Sequence, residues 1–273
     1  MKTLYISDLD GTLLNENVEI SEFTRKTVNS LCEKGLCFSI ATARTAATVG
    51  RLLSGMKTGA PAVLMNGACI YDLEKGEYVK TEPISGAALS GLLSAVDSAH
   101  LSGFVYTVDD GKLHTYYTDM TNAAAKSFMT ERIMKFGKVF TQLDSFSECA
   151  EKNVVYYSVV DLKERLLPVY EKLKCVDSLH VEFYPDIYEK NFWFLEAASV
   201  RASKFNAVNF LRESCGFDFI VGFGDNLNDL PLFSACDECC AVANAHEQVK
   251  SAATRIIGAN GEDAVAKYLL EVF

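Results

Sequence analysis

The chain has 273 residues, of which 49% are hydrophobic, and 36 acidic residues against 26 basic ones give a formal net charge of −10. That length admits one large domain or two modest ones, and that apolar fraction supplies a core and argues against disorder. The acidic balance argues against a nucleic-acid binder, which needs a basic face for phosphates, but leaves room for a small anionic ligand if a metal reverses the local field.

Met1-Lys2-Thr3 leads into an apolar run that ends at Asp8, too short for the core of an export signal. No stretch reaches the roughly 20 apolar residues of a membrane span. Nine cysteines, an odd number, suit reduced thiols, and a cytoplasmic location is expected. Leu4-Tyr5-Ile6-Ser7 reads as a buried strand that runs into Asp8-Leu9-Asp10-Gly11-Thr12. Side chains alternate along an extended chain, so Asp8 and Asp10 point the same way while Leu9 points the other. Ser21 is placed to cap a helix with Phe23, Val28 and Leu31 on its inner face and Gly35 after its end. Leu36–Ala41 is a second strand ending at Thr42-Ala43-Arg44, and a helix follows with Val49, Leu52 and Leu53 inward. Pro61–Met65 is a third strand, stopped by Asn66-Gly67. Alternation of strand and helix predicts an α/β fold, a doubly wound parallel sheet built from right-handed crossovers.

The pattern changes at Pro83. A helix carries Leu89, Leu92, Leu93 and Val96, and two extended stretches flank Asp109-Asp110-Gly111, a hairpin signal. A helix over 121–136, a strand over 153–160, a helix capped by Asp161 and bearing Pro168, and a pair of strands at Val181–Tyr184 and Phe192–Leu195 complete the segment. This predicts a core over 1–82, an inserted α+β unit over 83–189, and a second core part over 190–273. In that last part Ser203 caps a helix with Phe205, Val208 and Leu211 inward, Phe219–Phe223 is a strand, and Ala241–Ala243 another.

Strand ends of one parallel sheet converge on its carboxyl edge. Here they deliver Asp8 and Asp10, then Thr42, then Asp225, Asn228 and Asp229, with Lys204 opening a nearby helix. A lysine at a helix start opposes the helix dipole, which marks it for another duty. Clustered carboxylates need a shared cation, and oxygen-only ligands suit Mg2+. A hydroxyl, a lysine and backbone amides beside that ion accommodate a phosphoryl group, and a carboxylate can attack phosphorus to form an aspartyl-phosphate.

On these residues the chain resembles the haloacid dehalogenase-like superfamily of phosphohydrolases and, more narrowly, is similar to the Cof-type sugar phosphatases with a C2 cap. Asp8 to Thr12 meets D-x-D-G-T, Thr42 the second motif, Lys204 the third, and Gly224 to Asp229 meets G-D-x-x-N-D; Ala241–Ala245 and Ala259–Asp263 also resemble the family. The resemblance implies that Asp8 is the nucleophile and a Mg2+ ligand. It implies that Asp10 protonates the leaving oxygen and then activates water, binding metal through its carbonyl. Thr42, the amide of Ala43, Lys204 and Asn228 would hold the phosphoryl oxygens, Asp225 would ligate Mg2+, and Asp229 would do so through water or orient Lys204. Arg44 is a candidate substrate contact. The implied activity is hydrolysis of a small phosphate ester, most of all a sugar phosphate, with the inserted cap choosing the leaving group and no nucleic-acid or membrane partner.

Rival readings are weaker. Cys236, Cys239 and Cys240 give one C-x-x-C pair with His246 as the nearest histidine, and suit packing better than zinc. Gly222-Phe223-Gly224 lacks the third glycine of a dinucleotide loop, and no P-loop signature occurs. Trp193, Tyr116 and Tyr117 suit sheet packing better than sugar stacking. A phosphomutase and a non-catalytic phosphoacceptor switch share the same residue types and stand as alternatives.

Overall fold

The computed structural model describes residues 1–186 and 191–273. The described chain divides into two compact units, Met1–Lys80 with Ser203–Phe273, and Thr81–Ala202. The expected boundary at 189 and 190 lies outside the described residues, and the strand that follows belongs to the second unit.

The first unit opens with β1 (Thr3–Ser7) and β2 (Cys37–Ile40), parallel to each other. The helix Glu22–Glu33 joins them, and the Ser21 side chain accepts from the Thr24 amide at 2.9 Å, satisfying one free donor of its first turn. Val28 and Leu31 are buried on the inner face as expected, but Phe23 is 44% exposed. Its turn lies at the helix start, where the stripe has rotated off the core. β3 (Ala62–Leu64), β4 (Cys69–Asp72) and β5 (Glu77–Thr81) form a separate three-stranded sheet. β3 thus does not extend the parallel sheet as a full strand. It touches that sheet through the single parallel bridge Ala41–Val63 and pairs antiparallel with β4.

The second unit holds β6 (Phe104–Asp109), β7 (Lys112–Tyr117), β8 (Thr141–Gln142), β9 (Val154–Leu162), β10 (Leu179–Pro185) and β11 (Phe192–Ser199), ordered β10-β11-β9-β6-β7-β8. Asp110 and Gly111 both take positive φ, 50° and 72°, between paired Asp109 and Lys112, the two-residue turn that matches strand twist. The helix Gly86–Ser98 buries Leu89, Leu92, Leu93 and Val96 against Tyr157, Val159 and Leu195. Trp193 stacks in the same cluster, 4.6 Å from Phe183, as packing predicts. Asp161 does not cap the helix Lys163–Leu173. It ends inside β9, where its carboxylate accepts from the Leu162 amide at 2.7 Å and from Arg165 at 2.6 Å.

The chain returns to the first unit through the helix Lys204–Cys215 and adds β12 (Phe219–Gly224), β13 (Glu238–Ala241) and β14 (Arg255–Ile256). The strand expected at Ala241–Ala243 therefore begins and ends earlier. Val208 and Leu211 are buried, whereas Phe205 is 39% exposed, again at the first turn. The five-stranded sheet runs β14-β13-β12-β1-β2 with every neighbour parallel. Leu4 and Ile6 pack with Val208, Leu211 and Leu232 on one face, and Phe223 meets Tyr268 of the helix Ala264–Val272 at 5.3 Å on the other. Side-chain alternation along β1 and β12 so covers both faces with helices. No helix among the described residues is long and apolar enough to cross a membrane.

Candidate active site

Register places the site. Ser7 of β1 lies opposite Phe223 of β12 and Ile40 of β2. The residues after these positions, Asp8, Gly224-Asp225 and Thr42, therefore emerge together at the carboxyl edge. Asp8 keeps the ladder for one more step, its amide donating to the Phe223 carbonyl at 2.9 Å.

The extended chain then stops. Asp10 (φ −75°, ψ 121°) and Gly11 (φ 77°, ψ −4°) are the central residues of a type II turn. The alternation that would point Asp8 and Asp10 the same way is lost, and the two carboxylates have different partners. Asp8 accepts from Lys204 Nζ at 2.7 Å. Asp10 accepts from Arg44 twice, from Nε at 2.7 Å and Nη2 at 2.6 Å, the fork geometry that suits guanidinium and carboxylate.

Lys204 starts its helix with its ammonium buried between two carboxylates, Asp8 at 2.7 Å and Asp229 at 2.6 Å. Lys204 and Asp229 side chains are 1% and 0% exposed. Burial alone would lower the Lys204 pKa, but the Asp8 and Asp229 charges outweigh it and hold the ammonium above its usual range. Asp229 also accepts from the amides of Asp225 and Asn226 through Oδ2, both at 3.0 Å. It thus shapes the Gly224–Asp229 loop and orients the lysine at once.

Carboxylates of Asp8, Asp225 and Asp229 lie within 4.8 Å of one another. Three such groups face one ammonium, so negative charge is in excess. Burial pushes Asp8 well above the usual carboxylate range, Lys204 opposing it and Asp229 reinforcing it. Burial likewise raises Asp225 to about 6, with the Thr12 hydrogen bond pulling the other way. An all-oxygen donor set with surplus negative charge fits a hard dication. The Asp10 carboxylate stands outside this trio.

Thr42 is buried, its Oγ1 accepting from the Arg44 amide at 3.2 Å, which leaves the hydroxyl proton free to donate elsewhere. Ala43 is exposed at the same edge. Asn228 Nδ2 donates to Asn66 Oδ1 at 3.4 Å. Of the residues anticipated from the sequence, Asp8, Lys204, Asp225 and Asp229 are brought together, Arg44 is joined to Asp10 and Thr42, and Asn228 is joined to Asn66. Two were not assigned a role. Thr12 donates to Asp225 Oδ1 at 2.8 Å and fixes that carboxylate, although it was visible as the last letter of D-x-D-G-T. Asn66 was visible only as a turn residue.

Gly11 is required twice over. Its φ is left-handed, and a Cβ would collide with Asp225, whose Cγ would be only 2.8 Å away. Gly11→Ala is expected to cost about 2 kcal/mol and to displace the Asp225 carboxylate, read as a lowered thermal midpoint.

Fold and site together define an α/β enzyme whose carboxylates and one buried lysine meet at the carboxyl edge of a parallel sheet. The pattern of the haloacid dehalogenase-like hydrolases matches residues 5–269, and the chain belongs to that family. It is 25% identical over 270 residues to a pyridoxal phosphate phosphatase of Escherichia coli (strain K12), covering 96% of this chain and 95% of that one. It is 24% identical over 285 residues to a 5-amino-6-(5-phospho-D-ribitylamino)uracil phosphatase of Bacillus subtilis (strain 168), covering 97% and 96%. An X-ray structure from Thermotoga maritima superposes with a TM-score of 0.80 at 26% identity, covering 100% of this chain and 98% of that one.

Proposed function

We propose that the protein is a Mg2+-dependent phosphatase that hydrolyses small phosphate monoesters, sugar phosphates foremost, through an aspartyl-phosphate on Asp8. The observation that carries this reading is the buried Asp8–Lys204–Asp229 chain at the strand edge, with Asp225 beside it. Lys204 fixes the Asp8 carboxylate and, with the Thr42 hydroxyl, the Ala43 amide and Asn228 Nδ2, binds the phosphoryl oxygens. Asp8 attacks phosphorus, the bond to the ester oxygen breaks, and Asp10 gives that oxygen its proton. Asp10 then takes a proton from the water that attacks the aspartyl-phosphate, which returns Asp8 and releases inorganic phosphate. Arg44 holds Asp10 between these steps and is proposed to contact substrate. Asp8, Asp225 and the Asp10 carbonyl would hold Mg2+, with Asp229 acting through water or through Lys204. The ion, when bound, supplies positive charge that lets an anionic ester approach the carboxylates.

The inserted unit is proposed as the cap that excludes water and selects the leaving group. The sugar-phosphate reading rests on the Cof-type motif pattern. The named relatives act on pyridoxal phosphate and on a ribitylaminouracil phosphate, which supports small phosphate esters as the class. A cytoplasmic site of action is in keeping with cysteines that are all free thiols.

The test is release of inorganic phosphate from a panel of hexose and pentose phosphates, pyridoxal phosphate and an aryl phosphate. Release is expected with Mg2+ and a loss of at least about 100-fold in excess EDTA. Undiminished release in EDTA, or none from any ester, overturns the proposal.

A further inference from the structure

Two asparagines outside the catalytic set grip the turn that carries Asp10. Asn244, just past β13, donates from Nδ2 to the Gly11 carbonyl at 2.8 Å. Its Oδ1 accepts from the Asn260 amide at 2.9 Å. Asn260 in turn donates from Nδ2 to the Leu14 carbonyl at 2.8 Å. The C-terminal segment thereby holds the arc Gly11–Leu14 at both ends, across sequence separations of 233 and 246 residues. A second tie lies behind it, where Asp263 accepts from Thr24 Oγ1 at 2.8 Å and from Ser21 Oγ.

This arc needs such a grip. The Leu14 amide closes it back on the Leu9 carbonyl at 2.9 Å. Gly11 is its loosest joint, because glycine crosses φ/ψ space at little cost. Fixing the Gly11 carbonyl fixes the plane of the Gly11–Thr12 peptide. It also sets the corner from which the Asp10 side chain projects.

We propose that Asn244 and Asn260 are positioning residues for proton transfer by Asp10: they clamp its turn so that the carboxyl meets the leaving oxygen. The inference rests on the acid role proposed for Asp10. A clamp of this kind predicts a leaving-group dependence that general loosening does not. An alkyl phosphate needs its leaving oxygen protonated. A nitrophenyl phosphate leaves as a stable anion and needs no proton.

The decisive variant is Asn244→Asp. It keeps the shape and can still accept from the Asn260 amide, but it cannot donate to the Gly11 carbonyl and repels it. We expect kcat/KM for an alkyl phosphate to fall about tenfold, while that for nitrophenyl phosphate stays within about twofold. Asn260→Ala should give the same pattern more weakly. Equal losses on both esters, or no loss on either, overturn the proposal. Amide hydrogen exchange over residues 9–14 supplies a second reading that needs no turnover. It should quicken in Asn244→Asp while exchange in β1 and β12 is unchanged, and unchanged exchange in the arc also overturns the clamp. If the wild-type protein hydrolyses neither ester, the phosphatase reading falls, and the exchange measurement still decides whether the clamp exists.

Discussion

Replacing Asp8 by Asn is expected to lower turnover of every accepted ester by on the order of 10⁴–10⁶-fold while leaving the protein folded. An amide oxygen keeps the shape and can still accept from Lys204, whose second partner, Asp229 at 2.6 Å, is untouched. Like-charge repulsion within the Asp8–Asp225–Asp229 trio falls at the same time. Thermal midpoints in EDTA should therefore agree with wild type within a few degrees. What would be lost is the proposed nucleophile, because an amide nitrogen or oxygen does not form the proposed acyl-phosphate. A ligand that binds the native state stabilises it by RT ln(1 + [L]/Kd), so the rise in midpoint on adding Mg2+ should shrink as well. Wild-type turnover in Asp8→Asn would remove Asp8 from the chemistry. A collapsed midpoint in EDTA would make Asp8 a structural residue instead.

The site was legible in the sequence wherever a strand end fixed a residue's place. Asp8, Thr42 and Asp225 follow directly from β1, β2 and β12, and the parallel register brings those ends level. Lys204 was legible for a different reason, as a cation at the wrong end of a helix. The placement of Asp10 was misread, because period-two alternation holds only while the chain is extended, and the type II turn begins at Leu9. Its Arg44 partner lies 34 residues away, and the Asn244 and Asn260 contacts span most of the chain, so no local pattern carries them. Phe23 and Phe205 failed similarly: each is the first-turn residue of a helix, where helical spacing alone says little about burial. The separate sheet of β3, β4 and β5 was missed because β3 has the apolar composition of a buried parallel strand, and its partner lies across the Asn66-Gly67 turn.

Removing Lys204, the one buried cation among the described residues, should have the larger effect on stability. Lys204→Met is expected to cost about 3–5 kcal/mol, since it strands Asp8 and Asp229 without the partner they were desolvated for. The corresponding fall in thermal midpoint is roughly 10 °C. Its pH dependence should run opposite to ordinary acid denaturation. Burial already holds the Asp8 carboxyl above its unfolded value, with Lys204 pulling it down. Without that pull it climbs further, so the folded state binds the proton more tightly than the unfolded chain. Stability is then greatest below the unfolded pKa and is lost as pH rises through the folded one. The variant should gain on going from pH 8 toward pH 6 in EDTA, which midpoints at a series of pH values would show. A midpoint within about 2 °C of wild type at pH 8 would mean that the carboxylates find another partner. Lys204→Arg should not restore the native state. The Lys204 side chain is 1% exposed and fills its space between Asp8 and Asp229, so a guanidinium fork needs room that only movement of β1 or of the Gly224–Asp229 loop could create.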